Sequence, residues 1–346
     1  MTNRIALFLP NWIGDVVMAT PAIRAVRARF PAAELVAVCK PYVADVLAGA
    51  PWFDATVFLA KREVFGAARV LREKPLDAAL LFPNSFRTAL VAHLAGAKRV
   101  VGYVRYGRGF LLTDKLHAKT DPRGRFVPSP AMDDYNRLAV ALGTPAPGTQ
   151  MELFTTPADE ARAADVWDQF VLHRYPRVVV LNSGGAFGAA KDWGCDHFAH
   201  LARQLTARLG CGVLVACGPN EREAARRIAD ESRSPHVFSL SDTPLSLGLT
   251  KAVVKRADLL VTTDSGPRHF AAAFGKPVVA LFGPTHIEWT ETYYAREIRL
   301  QKKLPCGPCQ QRVCPLGHHR CMRELAPADA FAAAQYLLGA EVQRAG

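Results

Sequence analysis

The chain has 346 residues, 50% of them hydrophobic and 21% charged, enough apolar material for a sizeable core and a length that suggests two domains. No apolar run approaches the roughly 20 residues that span a bilayer, and the opening MTNRIALFLPNWIGD runs straight into a polar turn at Asn11 to Asp15 rather than a cleavage site, so a cytoplasmic protein is expected. The net charge of +12 is uneven: residues 1–130 hold 19 Lys and Arg against 9 Asp and Glu, so this half should face nucleic acid, an acidic membrane surface or a phosphorylated substrate.

In chain order, strand-like runs at Ile5–Leu9, Leu35–Cys39, Ala78–Phe82 and Val100–Tyr103 alternate with helical patterns at Val16–Phe30 and Thr88–Ala95, the signature of a doubly wound parallel sheet. Thr144-Pro-Ala-Pro-Gly-Thr149 interrupts the pattern, and after a helix near Pro157–Leu172 it resumes at Arg177–Leu181. Helix His197–Leu209, strand Gly212–Cys217, helix Asn220–Glu231, strand Asp258–Thr262, helix Gly266–Phe274 and strand Pro277–Phe282 complete a second α/β domain. The expectation is two Rossmann-like domains, 1–160 and 161–346, facing each other across a cleft. The basic residues of the first, such as Lys61, Arg62, Arg69, Arg72, Arg87, Arg105 and Arg108, are scattered through βα units with no nucleic-acid module around them, which favours a phosphorylated partner over nucleic acid.

Four turns at strand ends carry polar residues that chemistry would need. In PNWIGDVVMATPAIRAVR, Gly14 relieves the backbone and Asp15 opens a helix; a carboxylate there can act as a base, and it can equally cap the helix and complement its dipole. In LNSGGAFGAAKDW the glycines allow close backbone approach, Ser183 offers a hydroxyl and Lys191 a point charge suited to phosphate, although the loop is no Walker motif. CGPNEREAARRI places Glu221 and Glu223 at a helix start, where a carboxylate can accept from ribose hydroxyls or simply cap. The fourth turn lies in VTTDSGPRHFAAAFGKPVVALFGPT: Asp264, Ser265 and Gly266 follow a buried strand, Ser265 is placed to cap the next helix, and His269 lies one helical turn further on.

Taken in order, GD followed by TPAIRA, then FPNSF, GxFGxAKxW, TxDSGPxH and ALFGPT resemble bacterial glycosyltransferase family 9 over nearly the whole chain. The resemblance implies a GT-B fold and an inverting, metal-independent transfer of L-glycero-D-manno-heptose from an ADP-sugar donor to the inner-core heptose on Kdo-lipid A. By the family's pattern Asp15 becomes the general base, with Lys191 on the diphosphate and Ser183 beside it. Asp264, Ser265, Gly266 and His269 then line the donor's phosphate and heptose, Glu223 or Glu221 takes the ribose, and the segment around Leu245 meets adenine. The basic first domain becomes the acceptor side, with Gly14, Arg62, Asn84, Ser85, Arg87, Arg105 and Arg108 as candidates for an anionic, lipid-linked oligosaccharide met at the inner membrane face.

LPCGPCQQRVCPLGHHRCM stands apart from the family pattern. Cys306, Cys309, Cys314 and Cys321 fall within 16 positions, which suits a structural zinc site, clustered reduced thiols or a labile disulfide, while the isolated Cys39, Cys195, Cys211 and Cys217 read as reduced core residues. Three other readings stay open at this level: another donor or acceptor within the family, a nucleotide-sugar epimerase, and a zinc-containing nucleic-acid-binding protein.

Overall fold

A computed structural model describes residues 2–60, 63–185 and 187–345; Arg62, expected on the acceptor side, lies outside them. The chain forms two compact units, Met1–Phe154 with Glu288–Tyr293 and Thr155–Ile287 with Tyr294–Gly346.

The first unit runs β1 (Arg4–Phe8), α1 (Ile13–Met18), α2 (Thr20–Arg29), β2 (Glu34–Cys39), α3 (Pro41–Leu47), β3 (Ala55–Phe58), α4 (Val64–Arg72), β4 (Ala78–Leu81), α5 (Phe86–Leu94), β5 (Arg99–Tyr103), β6 (Asp114–Leu116) and α6 (Ala131–Leu142). Its six strands are all parallel in the order β3-β2-β1-β4-β5-β6. The central strands β1 and β4 are buried along their whole length, which explains why they read as unbroken apolar runs. Between β1 and β2 the single helix expected over Val16–Phe30 is two. Pro21 sits in the first turn of α2, where its missing N–H is harmless, and the chain bends at Ala19. The Thr20 hydroxyl closes the bend, donating to the Val17 carbonyl at 2.7 Å and accepting from Glu152 N at 3.1 Å.

The second unit runs α7 (Pro157–Gln169), β7 (Val178–Asn182), α8 (Cys195–Leu209), β8 (Gly212–Ala216), α9 (Arg222–Ser232), β9 (Val237–Ser239), α10 (Leu247–Arg256), β10 (Leu259–Thr263), α11 (Gly266–Ala273), β11 (Val278–Phe282), β12 (Glu297–Gln301), α12 (Arg320–Arg323) and α13 (Pro327–Ala345). Its strand order, β12-β11-β10-β7-β8-β9, is that of the first unit met in the opposite direction. Each unit is thus doubly wound, with the chain reversing its direction of travel between β1 and β4 and between β7 and β10. In open α/β sheets ligands bind beyond the carboxyl ends of the strands at such reversals.

The division falls at Phe154/Thr155 rather than at 160/161, because α7 is built into the second unit from its first residue. Thr156 and Asp159 form a reciprocal capping box, with Asp159 N donating to Thr156 Oγ1 at 3.2 Å and Thr156 N to Asp159 Oδ2 at 2.9 Å. Glu160 then pairs with Lys255 at 2.7 Å and Arg256 at 3.3 Å, both on α10.

Candidate active site

At the carboxyl ends of β7 and β10 the second unit gathers most of the donor-side candidates around Asp264. This carboxylate is buried, accepts from Lys191 Nζ at 2.5 Å and from the Thr285 hydroxyl at 2.8 Å, and lies 3.6 Å from Arg268. Burial alone would raise its carboxyl, but Lys191, Arg268 and the two hydrogen bonds outweigh burial and hold it below the ordinary carboxylate range. Lys191 is therefore not an open point charge. Its ammonium also donates to the Asp264 carbonyl at 2.7 Å and lies 4.6 Å from the centre of the Phe187 ring. A phosphate would compete with Asp264 for it.

Ser265 occupies the N-cap position of α11 in an extended conformation, yet its side chain makes no capping bond. Instead its hydroxyl pairs with that of Thr262 at 3.0 Å and accepts from Asn182 Nδ2 at 3.2 Å. The amide of Asn182 also reaches the Gly184 carbonyl at 3.1 Å and Thr262 Oγ1 at 3.0 Å, stitching the ends of β7 and β10 together. With Ser265 turned toward the sheet, the N–H groups at Gly266 have no side-chain cap, a setting that suits an anion. Gly184 lies directly against Glu221, so that a Cβ there would displace the Glu221 carboxylate, and Glu221 Oε2 in turn accepts from Gly218 N at 2.7 Å. Of the two acidic candidates, Glu221 therefore borders the Ser183 loop, whereas Glu223 is exposed and pairs with Arg226 at 3.5 Å. Ser183 is half-buried directly after β7, and Leu245 is half-buried just before Ser246, which caps α10 through Leu249 N at 3.0 Å.

His269 is buried on α11 with Nδ1 making no hydrogen bond within the chain. Burial first, and then the neighbouring Arg268, push it down to about 3, so the ring is neutral in the fold while the unfolded imidazole charges below its ordinary value of 6.5. A depressed His value means that the unfolded chain binds the extra proton, so stability is present above 6.5 and is lost as pH falls from 6.5 toward 3, by up to about 1.4 kcal/mol per pH unit. Melting temperatures between pH 7 and 4 should therefore fall less steeply in His269→Gln than in the wild type. Parallel curves would show that His269 contributes nothing to the acid sensitivity.

In the first unit the loops after β1 and β4 lie at the other reversal. Asp15 is half-buried in the first turn of α1, whose N-cap, Trp12, supplies no side-chain capping bond. Helix α1 packs on α6, and the Tyr135 hydroxyl on α6 is pushed well above its ordinary value by burial, by Asp15 and by Asp134. Tyr135 lines a pocket of about 150 Å³ together with Phe82, Asn84, Arg105, Lys119, Phe126 and Trp289 among others. Arg105 lies 3.5 Å over the Phe126 ring, a cation held flat against an aromatic wall. Asp15 thus stands within electrostatic reach of a basic, aromatic-walled pocket.

Two acceptor candidates also make contacts within the fold. Arg108 is fully buried and donates to the carbonyls of Pro83 at 2.6 Å, Tyr103 at 2.9 Å and Ser85 at 3.2 Å and to Asn84 Oδ1 at 3.2 Å. Burial and Arg105 bring it down to about 10, and it ties the Asn84 loop to β5. Ser85 Oγ caps α5 through Thr88 N at 3.3 Å. Arg108→Ala should accordingly lower stability by about 2–4 kcal/mol, with no rescue by Lys, whose single ammonium cannot reach four acceptors. A denaturation midpoint close to wild type combined with a raised acceptor KM would return Arg108 to the binding surface. Arg87 is half-exposed with Nη1 3.3 Å from the Ala60 carbonyl.

The sequence model of glycosyltransferase family 9 (heptosyltransferase) matches residues 64–320. The chain belongs to this family. It is 26% identical to lipooligosaccharide heptosyltransferase 2 of Campylobacter jejuni over 97% of its own length and 98% of that protein's. With lipopolysaccharide heptosyltransferase 2 of Escherichia coli it shares 28% identity over 94% and 95%. The solved E. coli ADP-heptose heptosyltransferase II superposes with a TM-score of 0.80 at 26% identity, covering 98% of this chain and 99% of that one, which places this glycosyltransferase in the GT-B fold class.

The transferase's four clustered cysteines are all free thiols, Cys306 exposed and Cys309, Cys314 and Cys321 half-buried. Among the described residues no group of three or more His, Cys, Asp or Glu is placed to hold a metal ion. Sequence reasoning missed Asn182, Thr262, Thr285 and Arg268. Arg268 is buried against Glu297, with Nη2 2.9 Å from Glu297 Oε2, and so fixes α11 to β12. Arg268 was legible within TxDSGPRH as a charge on the apolar face of a short helix. Thr285 lies in ALFGPT, where only the fold brings it to Asp264.

Proposed function

We propose that this protein is an inverting glycosyltransferase that moves L-glycero-D-manno-heptose from ADP-heptose to the inner-core heptose of a lipopolysaccharide precursor built on Kdo-lipid A. The observation that carries the reading is Asp15 at the carboxyl end of β1, within electrostatic reach of Tyr135, which lines the aromatic-walled pocket of Arg105 and Lys119. The full-length likeness to heptosyltransferases 2 supports it. In this mechanism Asp15 takes the proton of the acceptor hydroxyl as its oxygen forms the bond to the anomeric carbon. The carbon–oxygen bond to the diphosphate breaks, and ADP departs with the electron pair. Its growing negative charge is met by Lys191 and by the N–H groups at the start of α11, positioned by Asp264 and Ser265. Glu221 is the ribose acceptor in this scheme, and the segment at Leu245 meets the base. The scheme is metal-independent, with Asp264 held by Lys191 and Thr285.

Arg105, Lys119 and Asn84 are the groups that would meet the phosphate and carboxylate groups of the acceptor. On the same unit Phe110 is 74% exposed and lies 6.1 Å from the exposed Phe86, close along the chain to Arg87, Arg105 and Arg108, an apolar pair that suits the surface of an anionic bilayer. No helix of the described residues is long and apolar enough to cross a membrane. We further propose that the protein works from the cytoplasm and touches the inner membrane face at its periphery. The test is a panel of ADP-, UDP- and GDP-sugars assayed in EDTA against heptosylated Kdo-lipid A. Transfer from ADP-heptose with inversion is expected. Hydrolysis or epimerisation of the donor without an acceptor would replace the reading with that of an epimerase.

A further inference from the structure

The cysteine-rich segment between β12 and α12 holds together the two loops that surround Asp264. Gln310 N donates to the Pro284 carbonyl at 2.8 Å, and Ala190 N donates to the Arg312 carbonyl at 3.0 Å. The second contact is close enough to dictate the sequence beneath it: Gly188 has φ +144°, and a Cβ there would lie 2.5 Å from the Arg312 oxygen. The Arg312 guanidinium lies 5.8 Å from the centre of the Phe187 ring, the same ring that the Lys191 ammonium approaches. At its far end Met322 is fully buried, and a Cβ on Gly283 would meet its sulfur at 2.4 Å. The segment therefore joins the loop that supplies Lys191 to the loop that supplies Thr285, and both of those side chains hydrogen-bond the Asp264 carboxylate.

Within this segment Gly317 N donates to the Cys314 carbonyl at 3.1 Å, Arg320 N donates to His318 Nδ1 at 3.1 Å, and Cys306 Sγ lies 3.9 Å from His318 Nε2. The backbone N–H groups around the Cys314 thiol, that of His319 first, hold it below its ordinary value. Cys321 is half-buried, and burial first, then the neighbouring Cys309, Cys314 and Cys306, raise its thiol. Elsewhere Cys39, Cys211 and Cys217 are buried, and burial pushes them to about 12, about 11 and about 11. Cys195, half-buried rather than in the core, is also raised by burial. A thiol reagent near neutral pH should therefore meet Cys314 and the exposed Cys306 first.

We propose that residues 306–321 form a strap that positions the two Asp264 loops for the nucleotide-sugar, and that reversible modification of its thiols is a control point on donor affinity. The inference rests on the donor reading of the Asp264 site. Methyl methanethiosulfonate provides the probe: the thiolate attacks the methylthio sulfur, a disulfide to that sulfur forms, and methanesulfinate leaves with the electron pair. A methylthio group on Cys306 displaces its approach to His318 Nε2, and one on Cys314 adds bulk at the turn that Gly317 N closes on the Cys314 carbonyl, so the segment shifts.

Calorimetry with ADP, alongside donor and acceptor KM, is to be run on reduced, capped and dithiothreitol-restored protein. Capping is expected to weaken ADP by about tenfold, the equivalent of one or two lost hydrogen bonds. The acceptor KM should stay unchanged, and dithiothreitol should restore the affinity. Cys195→Ser should behave as wild type, while Cys306→Ser with Cys314→Ser should no longer respond to the reagent. Independently of thiol chemistry, Arg312→Ala should raise the donor KM and leave the acceptor KM alone, with recovery in Arg312→Lys. Unchanged ADP affinity in both the capped protein and Arg312→Ala overturns the strap, as does a fall in melting temperature with the donor KM unmoved. Reduced wild type that ignores ADP overturns the donor reading instead, and the same series run with the nucleotide it does bind then judges the strap.

Discussion

Asp15→Asn should lower turnover by about 10² to 10⁴-fold, the range for losing a positioned proton acceptor, while ADP affinity stays near wild type. The substitution keeps the shape of the side chain and removes its capacity to take a proton, so it separates chemistry from packing. As a first-turn carboxylate on α1, Asp15 also complements the helix dipole, which accounts for only about 0.3–1 kcal/mol of stability. The two roles therefore predict different losses. A variant that folds with a slightly lower melting temperature and turns over normally reduces Asp15 to a dipole partner, and the assignment of the base must then move to a residue that lines the Asn84 and Tyr135 pocket.

Lys191→Ala is the second large effect. Its ammonium is shared between the Asp264 carbonyl and carboxylate, and a diphosphate would draw on the same donors. Losing a charged hydrogen-bond donor to phosphate should cost about 1.5–3 kcal/mol, roughly ten- to a hundredfold in Kd for ADP. The variant also leaves buried Asp264 with Thr285 and the more distant Arg268, so its melting temperature should fall as well. Affinity must accordingly be measured by calorimetry well below that temperature. Arg87→Ala is the control, expected to spare ADP and to raise the acceptor KM. Equal ADP affinity in wild type and Lys191→Ala would confine Lys191 to holding Asp264 in place.

The strands found by reading the chain are those buried on both faces: β1, β2, β4, β5, β7, β8, β10 and β11 appear as continuous runs of Val, Leu, Ile and Ala. The strands missed are β3, β6, β9 and β12, the outer or shortest ones. β3 alternates between half-buried and exposed, and β6 and β9 are three residues each. Such strands carry too little apolar patterning to stand out from loop, and pairing with an inner neighbour makes them strands. The break at Pro21 was legible as a proline rule, although the apolar periodicity runs on through it.

The same division holds for the site. By itself the sequence determined the doubly wound class, the ordered polar turns at strand ends and the family, because each rests on residues close together along the chain. Only the tertiary structure decided what each polar residue does. Lys191 and Thr285 reach Asp264 from 73 and 21 residues away, Arg108 turns inward onto carbonyls of the Asn84 loop, and Ser265 bonds to Asn182 in place of its own helix. Each of these outcomes follows from burial: a polar group removed from water must find a partner, and the fold alone determines which partners are within reach.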